Sequence, residues 1–408
     1  MSEWREVRLG DICSIFGRIG FRGYTTEDLV KTPNEGAISL SPSNIVHGDL
    51  NFEKLTYINW NKYEESPEIQ IKKNDILLVK TGSSIGRTTI VNEVYHPMTL
   101  NPQMVVLKDI KINPLYLSYL MKGYNFQGLI RGIAGGSAIP TLSQKHLSAL
   151  KITICDIKTQ NEIAKIISPL DSKIAVNRRI CENLEAQAQA LFKHWFIDFA
   201  PLKNDNFVES ELGMIPEGWR VGTLSEIADI NPSRTIKKGT ISTYLDMKNM
   251  PTSGSFPINW EDKEFVGGMK FKNGDTLMAR ITPCLENGKV AYVNFLKDGE
   301  IAFGSTEYIV MTAKESIFPE FLYTLCRFPS FVNYAVKNMN GSSGRQRVSG
   351  ETISNYRMVI APESVYSSVR PLFQEYMLRI RECGFENLRL STLRDTLLPK
   401  LMPGQIKV

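Results

Sequence analysis

The polar and apolar positions of this chain follow two periods in turn. Short β-branched runs at Asp75 to Val79, Thr88 to Val91 and Met104 to Leu107 are bounded by Gly, Asn and Pro, a pattern that predicts strands. Similar runs return at Thr276 to Ala279, Val290 to Val293 and Tyr308 to Met311. A helix follows each set, from Pro114 to Lys122 and from Pro319 to Phe328, with proline suited to the first helical position. Each half therefore predicts a mixed α/β domain of about 150 residues and then a longer helix.

The recurrence is a duplication with an offset of about 204 residues, too long for a solenoid repeat. Trp4 to Ile12 resembles Trp219 to Ile227, and Leu40 to Ile45 parallels Leu245 to Met250, with Asn44 opposite Asn249. Lys73-Asn74-Asp75-Ile76-Leu77 parallels Asn273-Gly274-Asp275-Thr276-Leu277. Gly135-Gly136-Ser137 through Ser143 parallels Gly341-Ser342-Ser343 through Ser349, and Leu147 and Ile353 follow at the same distance. The order of these matches is the argument, since any one alone is weak.

From Leu170 the period becomes helical. Leu170, Ile174, Asn177, Cys181, Leu184, Ala188, Leu191 and Trp195 are spaced alternately by four and three, which is a heptad seam with one polar member. Asn177 is the kind of residue that sets register. Asp171 beside Pro169 suggests a start near there. Roughly 27 residues at ~1.5 Å each would make a rod of about 40 Å. The second helix is expected from about Pro371 to Leu398, with a looser seam at Phe373, Met377, Ile380, Phe385, Leu388, Leu393 and Leu397 and a skip around Gly384. Each helix finds its natural partner in the other, as an antiparallel pair; packing of each on its own domain is the alternative. A rod of that length is close to one turn of B-DNA, roughly 34–36 Å.

Composition narrows the class. The 408 residues are 42% hydrophobic and 22% charged, with net charge +5. This is ordinary for a globular protein and compatible with a polyanionic partner. No apolar run approaches the roughly 18 residues that span a bilayer, and the first residues lack a signal-peptide pattern, so a cytoplasmic location is expected. The six cysteines form no C-x-x-C pair, and with only four histidines a structural zinc site is not expected.

Contact with DNA needs cations and free backbone N–H groups for phosphates, and Arg, Lys, Asn, Gln, Ser or Thr for base edges. Three loop sets in each half supply them. In the first half the candidates are Ser43, Asn44, Lys80, Thr81, Ser83, Ser84, Arg87, Arg131, Ser137 and Lys145. In the second they are Lys248, Asn249, Arg280, Thr282, Lys289, Ser342, Ser343, Arg345, Gln346 and Arg347. Gly341-Ser342-Ser343-Gly344-Arg345-Gln346-Arg347 stands out, with two arginines flanking a glutamine on a glycine loop; a plain solvated connection is its alternative. Gly82 to Thr88 resembles a P-loop but is one residue short and has Arg for Lys. No Asn-Pro-Pro or Asp-Pro-Pro methyltransferase segment, H-E-x-x-H, G-x-S-x-G or full Walker A is present.

Phe192-Lys193-His194-Trp195-Phe196-Ile197-Asp198-Phe199, Ile215-Pro216-Glu217-Gly218-Trp219 and Leu393-Arg394-Asp395-Thr396-Leu397-Leu398-Pro399-Lys400-Leu401 resemble the specificity (S) subunit of type I restriction–modification enzymes. The resemblance covers essentially the whole chain. It departs at Met402-Pro403-Gly404-Gln405-Ile406, where Ser and Glu would replace Pro403 and Gln405. It implies an α+β fold, pseudo-two-fold duplicated, with two similar mixed α/β target-recognition domains separated by a pair of long antiparallel coiled-coil helices. The implied boundaries are 1–155 and 201–362 for the recognition domains (the second with its linker), and 156–200 and 363–408 for the helical repeats.

The resemblance further implies a non-catalytic subunit that reads a bipartite, asymmetric site in double-stranded DNA. Helical pairing and partner docking would fall to Leu170, Ile174, Asn177, Leu184, Leu191, Trp195, Phe373, Ile380, Leu388 and Leu397. Two methyltransferase (M) subunits would dock there, and restriction/translocase (R) subunits would join them. S-adenosylmethionine, ATP and Mg would belong to those partners, with no cofactor, metal or catalytic residue in this chain. A standalone DNA modification enzyme and a helical protein-binding scaffold remain the alternatives.

Overall fold

The computed structural model describes residues 4–408 apart from 47, 135–139, 204 and 343. The chain divides into two compact units. Unit 1 comprises Met1–Ser172 and Thr392–Val408, and unit 2 is Lys173–Ser391. Among the described residues, no helix is long and apolar enough to cross a membrane.

The units repeat one sheet strand for strand and share the parallel pair of a second, whose fourth strand is added at opposite edges. In unit 1 one sheet has the order Ser14–Phe16, Met104–Lys108, Ile76–Val79, Thr88–Ile90, all antiparallel. Unit 2 has the same order in Ala228–Ile230, Tyr308–Ala313, Asp275–Ala279, Val290–Tyr292. A second four-stranded sheet in each unit contains one parallel pair, Met98–Leu100 beside Gly36–Leu40 and Ile301–Gly304 beside Ile241–Leu245. A short antiparallel pair completes each unit, Arg5–Arg8 with Lys151–Ile154 and Arg220–Thr223 with Arg357–Ile360.

The central strands read as unbroken apolar runs because each has a core on both faces. All four residues of Ile76–Val79 are buried. Ile76 and Leu78 enter one core, Leu77 and Val79 another. Side chains alternate across a strand, so a strand packed on both faces has no polar side. In unit 2, Met278 joins Ile309 and Met311, while Leu277 and Ala279 join Tyr308 and Val310.

The long helices begin earlier than the prolines suggest. The first spans Ile157–Phe196. Asp156 caps it, its Oδ1 accepting the N–H groups of Lys158 at 3.0 Å and Thr159 at 3.1 Å. The heptad spacing continues backwards through Ile167 and Ile163, both buried, and Pro169 lies exposed on the opposite side. Pairing along the seam outweighs the hydrogen bond lost at a proline that faces solvent. The second helix spans Glu363–Leu401 and likewise contains Pro371 and Pro399, both exposed. At Gly384 an added Cβ would lie 2.4 Å from the ring of Phe256. The skip in the predicted seam is therefore a close approach of the helix to that ring.

The helices pair antiparallel within each unit. In unit 2, Lys173 meets Glu386 at 3.3 Å, and Cys181 lies against the carbonyl of Ile380. Rising numbers on one helix meet falling numbers on the other. In unit 1, Arg394 donates to Asp171 at 2.8 Å, and Leu397, Leu398 and Leu401 pack with the cluster that holds Ile163 and Ile167. Of the expected seam residues, Ile174, Asn177, Phe373 and Ile380 are buried. Leu170, Leu184, Leu191, Trp195, Leu388 and Leu397 are half-buried.

Asn177 is the polar member of the seam in unit 2. Its Nδ2 donates to Glu386 Oε2 at 2.7 Å and to Asn387 Oδ1 at 3.0 Å, while its own Oδ1 has no partner among the described residues. Asn177→Ala should lower stability by about 1–3 kcal/mol, because two acceptors lose a buried donor. Asn177→Leu should recover part of that by filling the space. Urea unfolding measures both, and an unchanged midpoint for the alanine variant would remove Asn177 as a stabilising contact.

Candidate nucleic-acid interface

The duplicated loops converge through the same backbone bonds in both units. In unit 1, Lys80 follows the central strand. Its N–H donates to Gln103 O at 2.8 Å, and its carbonyl accepts from Leu142 N at 2.8 Å. Thr81 bridges to Thr141, and Gly82 N donates to Pro140 O. In unit 2, Arg280 N donates to Glu307 O at 3.0 Å, and Arg280 O accepts from Val348 N at 3.0 Å. Ile281 bridges to Arg347, and Thr282 N donates to Gln346 O. Three segments distant in sequence are thus clamped at the end of a buried strand in each unit.

The third expected loop set joins this clamp through a side chain. Arg87 Nη1 donates to Ile45 O at 3.0 Å in unit 1, and Lys289 Nζ donates to Met247 O at 2.6 Å in unit 2. Both cations thus tie loops together through one donor each. Asn44 is also corrected. It is buried, its Oδ1 accepts from Ser41 N at 2.9 Å, and its Nδ2 donates to Asn51 O and Lys54 O at 3.1 Å. A side-chain amide engaged at both ends shapes its own loop and has nothing left to offer a base.

The other candidates fall into two groups. Ser43, Ser83, Arg131, Lys145, Lys248, Ser342 and Arg345 are exposed; Thr81, Ser84, Asn249, Thr282 and Gln346 are half-buried. The helix that carries Arg131 lies against the first loop, with Gln127 Nε2 donating to Gly86 O at 2.9 Å. Lys145 lies in the helix Gln144–Ala149, just after the clamped segment. Asn249 is held by its backbone, N–H to Asp246 O at 3.0 Å. Ser137 and Ser343 lie outside the described residues.

Lys80 and Arg280 occupy equivalent positions and are both half-buried. Lys80 has no side-chain partner among the described residues, and burial pushes its pKa below the ordinary lysine value. Arg280 Nε is buried without a partner among the described residues. A partly desolvated N–H donor without an acceptor is suited to a bound anion or base edge.

Beside Arg280 in unit 2 lies a pair of which the sequence offered only one member. Arg347 donates from Nε to Glu307 Oε2 at 2.9 Å and from Nη2 to Oε1 at 2.7 Å. Those hydrogen bonds hold the Glu307 carboxyl below the ordinary carboxylate range. The equivalent of Glu307 in unit 1 is Gln103, since each accepts from the cation that ends its central strand. Neither residue belongs to a glycine loop or a basic cluster, so composition gave no reason to choose them. Their shared place in the duplication, just before Met104 and Tyr308, was the available signal.

The chain is similar to several known proteins. A family profile described as the type I restriction modification DNA specificity domain matches residues 1–186. The chain is 24% identical to the type I restriction enzyme HindI specificity subunit of Haemophilus influenzae, over 100% of both chains. It is 26% identical to the type I restriction enzyme MjaIX specificity subunit of Methanocaldococcus jannaschii, over 83% of this chain and 79% of that one. The crystal structure of a type I restriction–modification S subunit from M. genitalium superposes with a TM-score of 0.53 at 16% identity, over 98% of this chain and 96% of that one. At that identity the likeness is one of fold.

Proposed function

Because the chain belongs to the type I restriction enzyme specificity subunits, we propose that it reads a two-part, asymmetric DNA site, one part per unit, and positions partner chains that do the chemistry. The observation that supports this most is the repeated loop clamp with unlike side chains. Lys80, Gln103 and Thr141 in unit 1 stand where Arg280, Glu307 and Arg347 stand in unit 2. A common scaffold that presents different donors and acceptors suits two different half-sites.

Methyltransferase and restriction subunits are the partners, and two methyltransferase copies would match the duplication. S-adenosylmethionine, ATP and magnesium belong to those chains. The buried seam residues hold the helices together, so docking falls to apolar positions on the outer faces. Ile166, Val176 and Leu378 are such positions, at 39%, 48% and 53% exposure.

Methylated adenines can be mapped in cells that carry the chain with its methyltransferase partner. The expected result is one motif of two unequal parts with an unspecified gap. A palindromic or continuous motif would overturn the half-per-unit reading. DNA methylation by the purified chain alone would make it a modification enzyme. Partner binding without any sequence-dependent methylation would make it a scaffold.

A further inference from the structure

The Arg347–Glu307 pair supports an assignment at the level of a single base. A guanidinium carries five N–H donors in a planar fork. Nε and Nη2 of Arg347 donate to the two oxygens of Glu307, and Nη1 donates to the Arg345 carbonyl at 3.1 Å. These bonds use one hydrogen on each nitrogen. Two N–H groups remain, one on Nη1 and one on Nη2, the nitrogens at the end of the planar fork. The backbone is fixed as well, because Arg347 exchanges both of its hydrogen bonds with Asn340 at 2.9 Å. The side chain is 40% exposed, so it is open to a ligand while being held from behind.

The pair is not what closes the clamp. Unit 1 forms the same backbone bonds with Thr141 in place of Arg347 and Gln103 in place of Glu307. The ligand must therefore account for the charge pair. Two donor nitrogens at the end of one planar fork fit two acceptors on one edge, which describes guanine O6 and N7 in the major groove or two phosphate oxygens. The Glu307 carboxylate directly behind the fork opposes a charged phosphate more strongly than a neutral base edge.

We propose that Arg347 reads a guanine in the half-site contacted by unit 2, and that Glu307 is the positioning residue that aims it. This rests on the reading of the chain as a DNA-recognition subunit. Unit 1 has no such fork at the equivalent place, so its half-site is specified by other contacts.

The test selects binding sites from randomised duplex DNA, using the full-length chain expressed together with its methyltransferase partner. Wild type is expected to return a two-part motif with a G·C pair in one part. Arg347→Lys keeps the charge against Glu307 but loses the fork. It is expected to lower the preference for that one pair about 10–100-fold and leave the other half unchanged. Glu307→Gln should lose part of the preference at the same pair, and adding it to Arg347→Lys should cost little more. A purely structural role would not confine the change to one pair.

If Arg347→Lys and Arg347→Gln, with melting temperatures matching wild type, leave every position as before, the guanine assignment fails and DNA recognition stands. Equal weakening on all sequences would make Arg347 a phosphate contact and also overturn the assignment. If wild type selects no sequence, the DNA-reading proposal fails, and this one with it.

Discussion

Phe192→Ala is expected to lower the stability of unit 2 by about 3–5 kcal/mol, the range for deleting a buried phenylalanine ring. Phe192 is 1% exposed, and its ring centroid lies 5.5 Å from Phe196, 5.3 Å from Phe321 and 5.3 Å from Phe328. Phe196 continues the cluster, edge-on to Phe321 at 4.9 Å and stacked on Tyr366 at 5.4 Å. Phe192 and Phe196 belong to the first long helix, Tyr366 to the second, and Phe321 to a domain helix, Pro319–Arg327. Phe192 and Phe196 together thus join three elements of unit 2, and neighbours that make mutual ring contacts cannot collapse into the Phe192 space without losing those contacts. Phe192→Leu should recover much of the loss. Guanidinium unfolding followed by circular dichroism reads both variants, and an alanine variant with the wild-type midpoint would show that the cluster does not fasten the helix to the domain.

This also explains the Phe192 to Phe199 stretch that carried the family resemblance. Its aromatic density reflects packing at the point where a helix leaves its seam and meets a globular core, with Trp219 of the Ile215 to Trp219 segment 6.1 Å from Phe196. The repeat, the strands and the helical seam were all legible because each rests on side-chain periodicity. The continuous apolar run Ile76–Val79 could be read as a strand by its length and bounding residues, although its two cores could not be foreseen. Asn177 was legible as a register residue because a polar side chain in a seam must find a partner.

Other features were illegible for local reasons. Pro169, Pro371 and Pro399 signal helix ends in isolation, yet each faces solvent on a helix whose opposite side is held by packing. Arg87 and Lys289 read as DNA-contact candidates from their loops, and nothing local showed that each also donates to a backbone carbonyl about 42 residues away in the chain. Arg347 was chosen for its charge, and its partner Glu307 comes from a separate strand end 40 residues earlier. Side-chain periodicity carries no information about such long-range polar pairs.

The second large effect is expected at the buried ion pair of unit 2. Arg234 Nη1 and Nη2 donate to Asp275 Oδ2 at 2.6 Å and Oδ1 at 2.9 Å, with side chains 8% and 0% exposed. Thr312 Oγ1 and Lys272 N also donate to the carboxylate, at 2.6 and 2.7 Å. Unit 1 keeps the same carboxylate and changes the cation: Asp75 accepts from Lys72 N at 2.7 Å and pairs with Lys108 at 3.5 Å. Arg234→Ala should therefore cost about 3–5 kcal/mol, because it leaves an uncompensated charge in the interior. Arg234→Met with Asp275→Leu should cost less than Arg234→Ala alone, since removing both partners removes the desolvation penalty.

The pH dependence separates this cause from lost packing. Burial already pushes the Asp275 carboxyl above its ordinary value, and Arg234 and its hydrogen bonds oppose that shift. Without Arg234 the folded state holds the proton more tightly, whereas the unfolded carboxyl titrates near 3.9. A folded pKa above the unfolded one gives stability that is present at low pH and lost as pH rises through the folded pKa. The deficit of Arg234→Ala relative to wild type should then be largest at neutral pH and shrink as the medium is acidified, while the double variant should show no such trend. Urea unfolding at pH 7.5 and pH 5 makes the comparison. A deficit of equal size at both would assign the loss to the missing arginine stem rather than to a stranded carboxylate, and the shared carboxylate of the two units would then need a different explanation.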